Sequence, residues 1–295
     1  MKKFITLFFA MLMLFVVTSC GDDYKFDGDF TAFEVSETEI YVPGGNSYNA
    51  AQVTFVTVKV KDGKVVSYNL DERQSTIVDG NLVWNTKTKK ELKYDYGMKG
   101  SSEIEKEWFE QAAVIEQQWL DKGVDSIKTD DDGYIDGLAG ATMVDTNYSK
   151  LAKEALSNAK KGLSIAFEVT VTDIFVPGGN NYDAAQITFV AAQLKGKKVT
   201  SFNLDERQST IVDGNLVWNA KTKKELKFDY GMKGSSEIEK EWFEQAAVIE
   251  KQWLDGGVDS IKTDDEGYID DLAGATMVDS NYSKLAKEAL KKVGL

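Results

Sequence analysis

The sequence predicts an α+β fold in two tandem copies of one domain, each a largely antiparallel sheet with two main helices. The first observation is a repeat without gaps: Ala32 returns as Ala166, and the offset stays at 134 residues. Between residues 69 and 156, 81 of 88 positions are identical in the copy. A period of this length is that of a whole domain. The second observation is that strand-like segments precede helix-like segments in each copy, an order that favours α+β.

Three segments of the first copy predict strands. Residues 48–60 and 64–70 are rich in Val, Thr, Phe and Tyr, and Asp62-Gly63 between them is a hairpin signal. The turn residues at 79–81 then separate a short apolar piece at 82–84. The tight turns predict that these strands pair as antiparallel neighbours.

A long helix is predicted after the strands. Ser102 and Glu105 have the spacing of a capping box, and the apolar pattern ends near Leu120. The apolar positions at helical spacing are Ile104, Trp108, Ala112, Ile115 and Trp119. We interpret the tryptophans and their copies Trp242 and Trp253 as core side chains.

A second helix closes each copy. An extended segment is predicted at 124–127, and Asp145 is the predicted N-cap of the helix that follows. The apolar residues that share one helical face are Tyr148, Leu151, Ala152 and Ala155.

The N-terminus is typical of a lipoprotein signal peptide. Lys2 and Lys3 precede an apolar run at 4–17, which is short for a span of a ~30 Å hydrocarbon core. Small residues before Cys20 resemble a lipobox, which implies a lipid on Cys20 and a protein anchored at the outer face of the cell membrane. An ordinary signal peptide, or a short anchor with an incidental cysteine, is the alternative.

The predicted organisation follows from the leader and the repeat. Residues 1–19 form the signal peptide and 20–31 an acidic tether. Residues 32–159 form the first domain, 160–165 a linker and 166–295 the second domain.

Charge and composition exclude several classes of protein. The formal net charge is −13, and loss of two lysines with the leader gives −13 − 2 = −15. This argues against nucleic acid as a partner, because phosphate backbones require clustered cations. With no histidine and one cysteine, the chain cannot build His-ligated haem, Cys-His zinc, an iron–sulfur cluster or Ser-His catalysis. An organic cofactor is the main remaining candidate for electron transfer.

A Gly-Ala-Thr segment occurs in both copies, at 140–142 and 274–276, each time ahead of the last helix. We expect it to form the loop that leads into this helix. Its backbone N–H groups would then point outward at the positive end of the helix dipole, where a phosphate can bind. The alternative is three small residues that only turn the chain.

The segment around Gly-Ala-Thr resembles the attachment motif of the FMN-binding domain family. There, an aspartate, two variable residues and a small residue precede Gly-Ala-Thr, and a flavin transferase links FMN through its phosphate to the threonine. The resemblance implies two covalent FMN groups, on Thr142 and Thr276. The other matching positions are Asp136, Gly140, Ala141, Asp270, Gly274 and Ala275. Ala139 and Ala273 stand where many members have serine or threonine, and Gly137 becomes Asp271, which adds a negative charge beside the second site.

A glycine-bracketed loop at 95–102, copied at 229–236, is a candidate for contact with the flavin ring. Its candidate residues are Tyr96, Gly97, Met98, Tyr230, Gly231 and Met232. The alternative is a helix-leading loop with core aromatics. Arg73 and Arg207, the only arginines, suit a phosphate or a flavin edge, or equally a surface ion pair.

No catalytic residue and no metal ligand is predicted. No nucleophile–base pair is visible. The acidic run at 130–136 resembles a calcium loop, but Lys128 and Ala139 occupy the positions where an EF-hand needs carboxylates.

The segments at 94–100 and 106–111, together with Gly-Ala-Thr, resemble tandem flavinylated lipoproteins of Gram-positive extracellular electron transfer (PplA-type). The resemblance implies an electron carrier rather than a turnover enzyme. Its partners would be a flavin transferase that uses FAD, a membrane quinol-linked donor, and extracellular acceptors such as ferric iron or free flavins. The alternative is a non-redox surface lipoprotein whose tandem modules bind another ligand.

Overall fold

The computed structural model describes residues 24–40, 47–145, 147–174, 181–279 and 281–295. The predicted signal peptide and Cys20 lie outside the described residues. Each domain consists of a four-stranded sheet followed by helices, so the predicted α+β class is confirmed. No helix in the described parts of the chain has the length and hydropathy to cross a membrane.

The elements occur in the same order in both domains. The first domain comprises β1 Gly28–Ile40, β2 Tyr48–Lys61, β3 Lys64–Val78, β4 Asn81–Trp84, α1 Lys89–Leu92, α2 Trp108–Lys122, β5 Lys128–Thr129, β6 Ile135–Asp136 and α3 Tyr148–Lys161. The second comprises β7 Leu163–Ile174, β8 Tyr182–Lys195, β9 Lys198–Val212, β10 Asn215–Trp218, α4 Lys223–Leu226, α5 Trp242–Gly256, β11 Lys262–Thr263, β12 Ile269–Asp270 and α6 Tyr282–Lys291.

Each large sheet is an antiparallel meander, in the order β1-β2-β3-β4 and β7-β8-β9-β10. The predicted hairpin lies between β2 and β3, where Asp62 and Gly63 both have positive φ, at 52° and 72°. That pair of conformations suits the right-handed twist of the flanking strands. β3 continues to Val78, beyond the predicted end of that strand at residue 70.

Strand β2 is buried on both faces of its sheet. Val56, Val58 and Val60 point into a core shared with α2 and α3, whereas Ala51 and Val53 point into a second core. Side chains alternate between faces along a strand, so two apolar series in one strand require a cover on each side. The second cover is the other domain.

The two domains contact each other through the outer faces of their sheets, in a reciprocal arrangement. Trp84 Nε1 donates to the carbonyl oxygen of Thr170 at 2.8 Å, and Trp218 Nε1 donates to that of Ser36 at 2.9 Å. Both donors and both acceptors are related by the repeat, so the interface has approximate two-fold symmetry. Phe33 and Phe167 pack across it with ring centroids 4.9 Å apart.

The segment predicted as a linker is folded. Helix α3 runs to Lys161, Gly162 follows in the left-handed conformation, and β7 begins at Leu163. Gly162 is required here because a Cβ would lie 2.6 Å from the ring of Phe26. β1 likewise begins at Gly28, within the range predicted as tether. The domains therefore join without a flexible connection.

Three local predictions about the helices are corrected. The capping box of α2 is formed by Glu107 and Glu110, and Glu105 lies before the helix with φ 52°. Residues 124–126 form a 3₁₀ turn and are not extended. The N-cap position of α3 is Asn147, although Asp145 Oδ1 accepts the N–H of Ser149 at 3.0 Å and so provides the predicted capping bond.

Candidate functional site

Each domain contains one cleft beside its Gly-Ala-Thr segment. The first cleft has a volume of about 700 Å³, and Thr142 lines it together with Glu72, Lys89, Tyr96, Met98, Trp108 and Tyr148. The second has a volume of about 810 Å³ and is lined by the copies of the same residues, Thr276 among them. Small-molecule and cofactor sites have volumes of roughly 300–1,000 Å³. Both clefts are large enough for a nucleotide-sized ligand.

The Gly-Ala-Thr segment does not lead directly into a helix, contrary to the prediction. Thr142 is separated from α3 by five residues, since α3 begins at Tyr148. Its N–H donates to Gln111 Oε1 at 2.9 Å, and the N–H of Ala141 donates to the carbonyl oxygen of Leu138 at 3.2 Å. These two N–H groups are therefore engaged within the protein. The hydroxyl-bearing side chain of Thr142 is half-buried at the cleft wall.

Gln111, in the first turn of α2, connects three segments around the cleft. Its side chain is fully buried. Besides accepting from Thr142, it donates through Nε2 to Ser102 Oγ at 3.1 Å and to the carbonyl oxygen of Lys106 at 3.4 Å. Buried amides are stable only when their polar atoms are paired. Gln111 thus fixes the Gly-Ala-Thr segment against the N-terminal end of α2.

An ammonium group lies beside each Gly-Ala-Thr segment. A Cβ added to Gly140 would stand 3.1 Å from Lys106 Nζ and 3.4 Å from Val114. The equivalent atom on Gly274 would stand 2.8 Å from Lys240 Nζ. Gly140 and Gly274 also have φ of 98° and 100°, a conformation that favours glycine. Glycine at these positions lets the lysine approach the backbone next to the threonine.

The floor of the first cleft contains a buried ion pair. Lys89 Nζ pairs with Glu72 and lies 4.9 Å from the ring centroid of Tyr96 and 5.6 Å from that of Trp108. Burial lowers the pKa of Lys89, but Glu72 and Tyr96 outweigh it and raise the pKa above its ordinary value. Burial, and then the charge of Glu72, raise the pKa of the Tyr148 phenol well above its ordinary value. The amine is therefore charged and the phenol neutral at neutral pH.

The loop predicted to contact a ligand does face the cleft. Tyr96 and Met98 line the first cleft, and Tyr230 and Met232 line the second. Gly97 and Gly231 stand between the paired residues with φ of 76° and 77°. In the first domain, Met98 N donates to Glu107 Oε2 at 2.9 Å, which holds this loop to the N-cap of α2.

Arg73 and Arg207, which were predicted to contact a phosphate or flavin edge or else to form a surface ion pair, are not among the residues that line the two clefts. Arg73 follows Glu72 in β3 and therefore points to the opposite face of the sheet. There its Nε donates to the carbonyl oxygen of Asn85 at 2.5 Å, beside Phe167 of the other domain. Arg207 has the same bond, to Asn219. Both arginines belong to the surroundings of the interdomain interface.

Asp136 and Asp270 are exposed and lie outside the residues that line the clefts. Asp270 Oδ1 accepts the N–H of Asp271 at 2.9 Å. Asp271 has φ 57°, close to the 68° of Gly137 at the matching position. In the second domain, Asp270 thus stabilises the turn before Gly-Ala-Thr.

Six residues of the first site were not predicted as site residues: Glu72, Lys89, Lys106, Trp108, Gln111 and Tyr148. Lys106, Trp108 and Gln111 lie in the segment at 106–111 that the resemblance pointed to, and Glu72 carried a local signal. It continues the inward-facing series of Tyr68 and Leu70, and a carboxylate at an apolar strand position indicates a buried partner. The others depend on the packing of distant segments.

A further cavity, of about 580 Å³, lies between the two domains near Tyr48 and Tyr182. None of the predicted site residues lines it.

Fold and site together define a two-domain α+β protein with one equivalent ligand-sized cleft per domain. Comparison of the chain with protein-family models, curated proteins and solved structures finds no match.

Proposed function

We propose that this chain is a membrane-anchored electron-transfer flavoprotein that carries FMN esterified through its phosphate to Thr142 and Thr276. The observation that supports the proposal best is the shared cleft. In both domains the threonine of the resembled attachment motif lines the same cavity as the tyrosine and methionine of the loop expected to contact the ring.

The chemistry of the cleft fits an esterified FMN. Tyr96 and Met98 offer aromatic and thioether surface for a flat ring. Lys106 Nζ lies beside Gly140 and supplies a cation two residues before the threonine. A free phosphate monoester carries about −1.5 to −2 charges at neutral pH. Esterification to the threonine leaves about one negative charge on the phosphate, which a single lysine can balance.

The residues of the cleft hold and shield such a group. Gln111 orients Thr142 by accepting a hydrogen bond from the backbone N–H of Thr142. Trp108 and Tyr148 are almost fully buried and limit access of water to the floor. Bound FMN would supply one- and two-electron transfer, chemistry that the amino acids of this chain lack.

The proposed partners follow from the resemblance. A flavin transferase would use FAD: the bond between threonine Oγ and the FMN phosphorus forms as the pyrophosphate bond breaks, and AMP leaves with the threonine proton. Electrons would come from a membrane quinol-linked donor and pass to ferric iron or free flavins outside the cell. A lipid on Cys20 would keep the protein at the outer membrane face.

Intact mass of the chain co-expressed with a flavin transferase tests the proposal. The parent should carry two FMN increments, Thr142→Ala and Thr276→Ala one each, and the double variant none. Thr129→Ala, at an exposed position outside the cleft, is the control and should retain both. A parent without any increment would refute the proposal and favour the alternative of tandem non-redox binding modules.

A further inference from the structure

Lys89 in the first domain and its copy Lys223 in the second occupy the same position of the fold. Lys89 is the first residue of α1, a single helical turn that two contacts fix. Thr88 and Glu91 form its capping box, and Asp71 Oδ1 accepts the N–H of Lys90 at 3.1 Å. The side chain of Lys89 therefore starts from a rigid point on the cleft wall.

The ammonium end of the ion pair faces the cleft. The side chain of Lys89 is 9% exposed and that of Glu72 only 3%. Glu72 lies behind it in the sheet, where its Oε1 also accepts from Thr54 Oγ1 at 3.2 Å. The rings of Tyr96 and Trp108 flank the ammonium. A ligand that stacks in the cleft thus meets the positive end of the pair first.

The charged side chains that line the first cleft are mostly acidic, and Lys89 is the exception. Among the described residues that line the first cleft, it is the one cation, against the carboxylates of Glu72, Glu103 and Asp130. The second cleft has Lys223 against Glu206, Glu237, Asp264 and Glu266. Lys106 lies outside this lining, beside Gly140. Lys89 is therefore the cation of the first cleft itself.

We propose that Lys89 and Lys223 hold a positive charge beside the flavin ring and raise its reduction potential; this inference rests on the proposed function. Electrons added to the ring bring negative charge, and a fixed cation in a partly water-excluded site stabilises that charge. Glu72, the less exposed member of the pair, offsets part of the effect. Since the two clefts contain the same pair, the two rings receive similar shifts.

The test uses the Thr276→Ala variant loaded by the transferase, so that only the first cleft carries FMN. Lys89→Met should keep the mass increment but have a lower midpoint potential. A plot of midpoint potential against pH changes slope at one pH. In Lys89→Met this pH should be higher, because the reduced ring retains its proton more strongly once the cation is removed. Lys89→Arg, which keeps the charge, should stay near the parent.

Two further variants make the result decisive. Lys223→Met in the same background removes the matching lysine from the cleft without FMN and should leave the potential unchanged. Glu72→Gln with Lys89→Met removes both charges and keeps the floor neutral; its potential should fall less than that of Lys89→Met.

The outcomes separate this inference from the proposed function. A loaded Lys89→Met variant with the potential of the parent overturns the inference alone. An equal shift of the midpoint potential in Lys223→Met also overturns it. Loss of the FMN mass increment in a folded Lys89→Met variant does the same, because attachment is assigned to the other end of the cleft. A parent without the increment overturns both.

Discussion

Thr142 N–H donates to Gln111 Oε1 across 31 positions of sequence, and Thr276 N–H donates to Gln245 Oε1 in the same way, at 2.9 and 2.8 Å. Both glutamines are fully buried. The threonine proposed as the attachment residue is therefore held by a helix that lies well upstream of it. Because of this bond, the proposed attachment of FMN to the threonine depends on how α2 is packed.

Gln111→Leu removes that bond and leaves a backbone N–H without its partner. We expect the free energy of unfolding to fall by about 1–3 kcal/mol. Loading of Thr142 should fall while that of Thr276 is retained, as measured by urea unfolding and by peptide mass. Gln117→Leu, on the exposed side of the same helix, is the control. Equal loading of both threonines in Gln111→Leu would contradict this role.

Lys106→Gln removes the cation beside Gly140. We expect the rate of transferase loading on Thr142 to fall about fivefold, which corresponds to roughly 1 kcal/mol for a charge interaction near the surface. The measurement is a time course of flavin incorporation in the Thr276→Ala background. Lys122→Gln removes the same charge at an exposed position of α2 and should load at the parent rate. Equal slowing in both variants would show that only net charge matters.

Asp271→Gly should stabilise the second domain. The left-handed conformation at φ 57° costs a non-glycine residue roughly 1–2 kcal/mol, partly offset by the greater freedom of glycine in the unfolded chain. We expect a net gain of about 0.5 kcal/mol, measured as a rise in Tm. Gly137→Asp in the first domain is the matched reverse change and should lower Tm. A fall in Tm for Asp271→Gly would show that the aspartate makes a compensating contact.

Lys292 predicts a pH dependence of stability. Its Nζ donates to Thr31 Oγ1 at 3.0 Å and to the carbonyl oxygen of Ile165 at 2.7 Å. Burial lowers its pKa from 10.5 to about 8, against the opposing charges of Asp29 and Glu288. Between these values the unfolded chain binds more protons than the folded one. The contribution of Lys292 to the free energy of unfolding therefore rises with pH across this window.

The check for Lys292 is a difference measurement. The free energy of unfolding of the parent minus that of Lys292→Met should increase from about pH 8 towards pH 10. Subtraction removes groups that titrate in both proteins, such as Tyr68, whose pKa burial raises to about 12. Lys291→Met removes the same charge at the exposed neighbouring position and is the control. A flat difference for Lys292→Met would contradict the lowered pKa.

The sequence by itself determined the class of the fold, the repeat and the hairpin at Asp62-Gly63, because strand propensity, helical spacing and turn chemistry are local properties. It also indicated the threonines and the loop with Tyr96 and Met98, and the structure places both at one cleft. It misplaced the start of α2, because Glu107 and Glu110 provide a second capping box five residues after the one predicted from Ser102.

Only the tertiary structure decided which charged groups share the cleft. Lys89 on α1, Thr142, and the pair Lys106 and Gln111 at the start of α2 lie on three separate segments, which only packing brings together. Likewise, only packing decides which face of β3 lines the cleft. Side chains alternate between the two faces of a strand, so Glu72 points into the cleft and Arg73 points towards the other domain. The physical reason is common to both: burial and charge pairing depend on contacts between segments that are distant in sequence.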